Sequence, residues 1–118
     1  MKIKNFLPIL ILCFHACTHQ KEEIKVEKFD KAKWGILSGK EYLYRDNMLK
    51  DLMANKRLTG LKRDTILKML GYPNRSDTNY IFYMVRQTLV AGFFPLHTKT
   101  LVIEFAEDNT VRSAKIHE

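Results

Sequence analysis

The chain contains only two cysteines, Cys13 and Cys17, and both fall within its first 17 residues. Everything downstream therefore lacks both a disulfide framework and a thiolate metal site. Glycine (5) and proline (3) are scarce in 118 residues, which excludes a collagen-like or low-complexity chain. A glycine-rich phosphate loop, a Ser-His-acid arrangement and a Cys-His pair are all missing, so the common routes to phosphoryl and acyl transfer are closed. Long hydrophobic runs are missing too: the apolar stretch from Phe6 to Phe14 is interrupted by Pro8 and is about nine residues long, where a bilayer-spanning helix needs about 20. What is present is 46% hydrophobic content and 20 Lys plus Arg against 13 Asp plus Glu, a net charge of +7. That is enough apolar material for one small domain, and too much for a wholly disordered chain.

The N-terminus reads MKIKNFLPILILCFHAC. A basic start at Lys2 and Lys4, an apolar run and a small residue before a cysteine form the layout of a secretory signal peptide, covering residues 1–16. The tetrapeptide Phe14-His15-Ala16-Cys17 resembles the bacterial lipobox, with His15 and Phe14 as departures from its commonest residues. That resemblance implies a lipoprotein in which Cys17 becomes the first residue, bearing a diacylglyceryl thioether and an acylated amine. Several acyl chains anchor far more firmly than one, since each buried methylene contributes about 0.8 kcal/mol. Cleavage before Cys17 removes two lysines and no acid, leaving 18 basic against 13 acidic residues and a net +5. The remaining excess could favour anionic head groups or another acidic surface, but its charges are dispersed rather than clustered, which suits a solvated surface better.

Residues 17–39 read as the lipidated cysteine and a charged tether, in which isolated Ile24, Val26 and Phe29 have too few apolar neighbours to fill a core. A flexible tether of about 16 residues has a reach of ~20 to 25 Å. Gln20-Lys21-Glu22-Glu23 also resembles the acidic signal that sends some Bacteroidetes lipoproteins to the cell surface.

The folded domain is expected over residues 40–118. Tyr44, Met48, Leu49, Leu52 and Met53 lie at helical spacing between Glu41 and Leu58, with Asp46 and Lys50 placed for an i, i+4 ion pair. A second helix is written by Leu61, Ile66, Met69 and Leu70, and Gly71 with Pro73 stops it at Leu70. Its capping position holds Lys62, which has no capping oxygen. The period then changes. Tyr80–Leu89, Thr98–Phe105 and Thr110–His117 read as strands, with Leu101, Ile103 and Phe105 on one face and Glu107-Asp108-Asn109 as a turn. The expectation is a two-layer α+β domain with two helices packed on one face of a three-stranded antiparallel sheet, in the order helix-helix-strand-strand-strand. Arg45 and Asp51, six residues and nearly two turns apart, are not an ideal within-helix pair, so one is expected to reach a different element, in structural ion pairing rather than a binding role.

The run Gly60-Leu61-Lys62-Arg63-Asp64-Thr65-Ile66-Leu67-Lys68-Met69-Leu70-Gly71-Tyr72-Pro73 is similar to a signature of small lipoproteins of the BamE-like (SmpA/OmlA) family, and the Leu101-x-Ile103-x-Phe105 strand with its acidic turn also resembles that family. Trp34 with Arg45-x-x-Met48-x-x-Asp51-Leu52 resembles uncharacterised small lipoproteins instead. The first resemblance implies a periplasmic, outer-membrane-anchored scaffold that binds other envelope lipoproteins and phospholipid during assembly of outer-membrane proteins.

The candidate contact site is Ala91-Gly92-Phe93-Phe94-Pro95-Leu96, an apolar connection where a polar one is the norm. Either a phenylalanine folds back to cap the core, or Phe93, Phe94 and Leu96 dock on an envelope protein or dip into a membrane, with Arg86, His97 and Lys99 on polar contacts. His19, His97 and His117 are too scattered for a metal site, and no cofactor or catalytic residue is assigned. The sequence thus describes a non-enzymatic lipoprotein held at the membrane by Cys17, on the periplasmic face in the first reading. In the alternative reading it is a surface-exposed inhibitor or ligand-binding lipoprotein. Nucleic acid is not an expected partner.

Overall fold

The computed structural model describes residues 25–118. The expected signal peptide, Cys17 and the Gln20–Glu23 string lie outside the described residues. The elements are α1 (Lys31–Trp34), β1 (Leu37–Ser38), β2 (Glu41–Tyr42), α2 (Arg45–Asn55), α3 (Arg63–Leu70), β3 (Arg75–Ser76), β4 (Tyr80–Val90), β5 (Phe94–Phe105) and β6 (Val111–His117). The α+β class holds, but the expected two helices and three strands are wrong. Among the described residues there are three helices and six strands, in a two-stranded sheet β1-β2 and a four-stranded antiparallel sheet β3-β4-β5-β6.

The additional elements are all short. The helix α1 begins because the Asp30 carboxylate accepts hydrogen bonds from the Ala32 and Lys33 amides, at 2.9 and 3.3 Å. Its one turn places Trp34 in the core, where it is 1% exposed and packs beside Phe29 and edge-on to Tyr83. Residues well before 40 therefore belong to the packed body. The segment from Lys25 to Asp30 runs along α2: the Glu27 amide donates to the Asn47 carbonyl, the Asn47 side chain donates to the Lys25 carbonyl, and the Phe29 amide donates to the Asp51 carboxylate at 2.7 Å.

On α2 the buried stripe is Arg45, Met48, Leu49 and Leu52, the i, i+3, i+4, i+7 pattern of a core-facing helix with a guanidinium in its first position. The helix α3 ends at Leu70, where Gly71 takes φ 78° and ψ −168°, a conformation that only glycine adopts without strain. Lys62 caps it with no side-chain hydrogen bond. The long strands β4 and β5 alternate: Ile81, Tyr83 and Val85 with Leu101, Ile103 and Phe105 face the helices and are buried, while Phe82, Met84, Thr100, Val102 and Glu104 face away. Val111 completes the core from β6, with Ala114 and Ile116 packed against it.

Arg45 does not pair with Asp51. Its Nε donates to the Trp34 carbonyl at 2.8 Å, and one terminal nitrogen donates to the Met84 carbonyl at 2.8 Å and to the Asn74 side-chain oxygen at 3.2 Å. The guanidinium also lies 3.4 Å from the Tyr42 ring centroid and 4.7 Å from that of Trp34. Burial pulls its pKa below the ordinary guanidinium value, and Tyr42 and Tyr83 oppose that pull. Arg45 thus ties α1, α2, β2 and the edge of β4 together, while Asp51 holds the N-terminal segment.

Candidate functional site

The site is the outer end of the β4–β5 hairpin. In the four-stranded sheet β3 covers β4 only at Ile81 and Phe82, and β6 covers β5 only from Thr100 onward. The paired stretch from Arg86↔Lys99 to Val90↔Phe94 therefore extends past both neighbours as a two-stranded arm. At about 3.3 Å per residue it projects ~13 Å beyond the Arg86–Lys99 pair. His97 is opposite Thr88 within this arm rather than in a loop, and Phe94–His97 are strand residues.

A bulge sets the arm's orientation. Met84 pairs with Thr100, but Arg86 pairs with Lys99, so Val85 is an extra residue on β4. The parity of β4 shifts there, and Arg86 comes to share a face with Lys99. Both then reach Asp46 in the first turn of α2, at 3.4 and 2.9 Å, and Lys99 also meets Glu118 at 3.5 Å. Burial pulls the Lys99 ammonium down, but its hydrogen bond and charge pairing with Asp46, aided by Glu118, outweigh this and hold its pKa above the ordinary value. The i, i+4 pair of Asp46 with Lys50 is thus replaced by a clamp between helix and sheet. Beneath the arm lies an open groove of about 710 Å³, lined by Lys25, Tyr42, Asp46, Arg86, Thr88 and Leu89 among others.

The turn closes through Ala91 and Gly92, both at positive φ (54° and 82°), with the Phe93 amide donating to the Val90 carbonyl. Consecutive positive φ values match the twist of a tight hairpin, and Gly92 accepts this freely. The three predicted contact residues come together at this tip. Phe93 is 66% exposed, Phe94 66% and Leu96 69%, and the two rings meet edge to face at 5.7 Å. Neither phenylalanine folds back onto the core. Leu96 is itself the extra residue of a second bulge, between Thr88↔His97 and Leu89↔Pro95. Val90, 44% exposed and opposite Phe94, belongs to the same crown. Sequence reasoning missed it because it reads as one more residue of a β-branched run.

Among the described residues, no group of three His, Cys, Asp or Glu is arranged to hold a metal, and no helix is long and apolar enough to cross a membrane. His97 and His117 lie at different positions along β5 and β6. Comparison with family models, curated proteins and solved structures gives no match for this chain.

Proposed function

We propose that the chain is a non-catalytic, membrane-anchored lipoprotein of the cell envelope, in which the hairpin arm is the contact element of an interaction module. The observation that carries this reading is the crown of Val90, Phe93, Phe94 and Leu96, held away from the core on an arm that Asp46 braces. Four apolar side chains left largely exposed at one tip suit association with another apolar surface. The lipobox resemblance at Cys17 supplies the anchor, and a role in outer-membrane protein assembly is the narrower form of the proposal. The groove beneath the arm, with Lys25, Asp46 and Arg86 among its lining residues, favours the ligand-binding alternative.

One preparation tests the main reading. The protein is purified from native membranes with a photo-crosslinking amino acid in place of Phe94, after illumination of intact cells. The expected result is a lipidated Cys17 by mass and an envelope component joined at position 94. An unmodified Cys17, or the absence of any adduct, overturns it.

A further inference from the structure

The anchored reading leaves open what the arm meets, and the position of the N-terminal segment bears on this. Lys25, the first described residue, lines the same groove as Gln87, Thr88 and Leu89 of the arm. Its carbonyl is held by Asn47, the neighbour of the Asp46 that clamps Arg86 and Lys99. The chain thus leaves the domain beside the base of the arm. Cys17 is eight residues before Lys25, a span of at most ~29 Å. A lipid on Cys17 therefore holds Lys25 within that distance of the bilayer, and the arm across the groove from Lys25 covers about 13 Å.

We infer that the tip of the arm inserts into the lipid surface to which the chain is anchored; this rests on the lipidated reading of Cys17. The arm is graded in polarity along its length. Val90, Phe93 and Phe94 form the outermost layer, Leu89, Pro95 and Leu96 come next, Gln87, Thr88, His97 and Thr98 follow, and Arg86 and Lys99 lie at the base. Interfacial elements bury their apolar side ~5 to 10 Å deep, which this crown matches, and place hydroxyls and cations at headgroup level. The crown is small, convex and without a hydrogen-bonding side chain. Protein interfaces rely on a polar rim and shaped pockets around aromatic anchors, whereas acyl chains demand neither. The net +5 of the processed chain suits anionic headgroups.

The test uses the full processed chain carrying Phe94→Trp, reconstituted in phosphatidylethanolamine and phosphatidylglycerol vesicles with plain or brominated acyl chains. Trp34 is the chain's single natural tryptophan and is buried, so the unsubstituted protein gives the background. Tyr72→Trp is the exposed control at the end of α3, whose Gly71 carbonyl accepts from Tyr83 far down β4 from the tip. Brominated chains are expected to lower the emission of the Phe94→Trp protein at least ~2-fold and to leave the Tyr72→Trp protein unchanged. Vesicles that float with the protein but quench neither tryptophan overturn the inference and keep the anchor. If the protein does not float and Cys17 is unmodified, the anchor falls. Excess vesicles then decide the tip alone: quenching at position 94 supports insertion, and its absence overturns it. An emission change at 94 that needs an added envelope protein rather than lipid also overturns it.

Discussion

Replacing Arg45 with methionine isolates the contribution of one buried cation to a small domain. The guanidinium supplies donors to two backbone carbonyls, Trp34 and Met84, each at 2.8 Å, and stacks on Tyr42. Methionine keeps much of the volume and removes every donor. Asn74 keeps a partner, because its side-chain oxygen also accepts from the Met84 amide at 2.8 Å. The two carbonyls do not, and an orphaned buried acceptor costs about 1–3 kcal/mol. Loss of the cation–π contact adds roughly 0.5–2 kcal/mol, and relief of the desolvated charge returns part of the total. The net expectation is a loss of about 3 kcal/mol, out of a stability on the order of 5–10 kcal/mol for a domain of this size.

Urea unfolding followed by circular dichroism reads this directly. With a slope of about 1.5 kcal/mol per molar, the midpoint falls by roughly 2 M. The near-ultraviolet signal of Trp34 should weaken even in the folded variant, because α1 loses its link to the sheet. Arg45→Lys is expected to recover less than half of the loss, since an ammonium has no planar fork to serve Trp34 and Met84 together. A methionine variant within about 0.5 kcal/mol of the parent protein would refute the reasoning, as would a lysine variant that matches it.

Further outcomes follow from the same geometry. Asp46→Asn should cost about 1–2 kcal/mol, because the Lys99 pair is largely covered and its charge-assisted hydrogen bond becomes a neutral one, while hydrogen exchange accelerates selectively at Arg86–Val90 and Phe94–Lys99. The Lys99 side of that clamp is intact below the ordinary lysine value of 10.5 and opens only as pH rises through the higher folded-state value, so the parent arm's protection should hold through neutral pH. Gly71→Ala should cost about 1–3 kcal/mol by thermal unfolding; no atom obstructs the added methyl, so the cost is the backbone's. Hydrogen bonds from the Phe29 amide and the Asn55 side chain hold the Asp51 carboxyl below its ordinary 3.8. Its stabilisation is present above that value and lost as pH falls through the folded-state value, so Asp51→Asn should flatten the acid limb of an unfolding-versus-pH curve. Phe94→Ser should change stability by less than about 0.5 kcal/mol, since the ring is two-thirds exposed and lies outside the core.

The parts legible in the sequence are those long enough to repeat a period. The alternation of Leu101, Ile103 and Phe105 and the Gly71 stop after Leu70 both hold, because several residues or a φ-specific one carry each signal. The elements of two to four residues, α1, β1, β2 and β3, complete no period. For α1 the signals were Asp30 as a cap and Gly35 after Trp34, inside a stretch whose charges argued for a tether. Arg45 was hidden for another reason: counting back three from Met48 lands on the stripe, but hydropathy assigns a guanidinium to solvent. The start of β5 was misplaced at Thr98 because Pro95 argues against a strand. Proline is tolerated there because β5 has a neighbour on one side only until Thr100. The crown residues were found by their apolarity, while their exposure depended on the hairpin extending past β3 and β6.

The bulge at Val85 links the packing of the body to the direction of the arm. An unbroken alternation would set Arg86 on the face of Phe82 and Met84, away from α2, and leave Asp46 with Lys99 alone. One inserted residue instead puts two cations on one carboxylate, at the end of α2 where the helix dipole already favours negative charge. Asn47, the next residue, holds the Lys25 carbonyl, so the same helical turn fixes both the base of the arm and the path of the N-terminal segment. A two-stranded hairpin on its own is marginally stable in water, and this one bears an apolar tip. Bracing only its base leaves the tip free to be ordered by whatever it meets, and the common attachment at α2 keeps Lys25, where the described chain starts, tied to the helical turn that braces the arm.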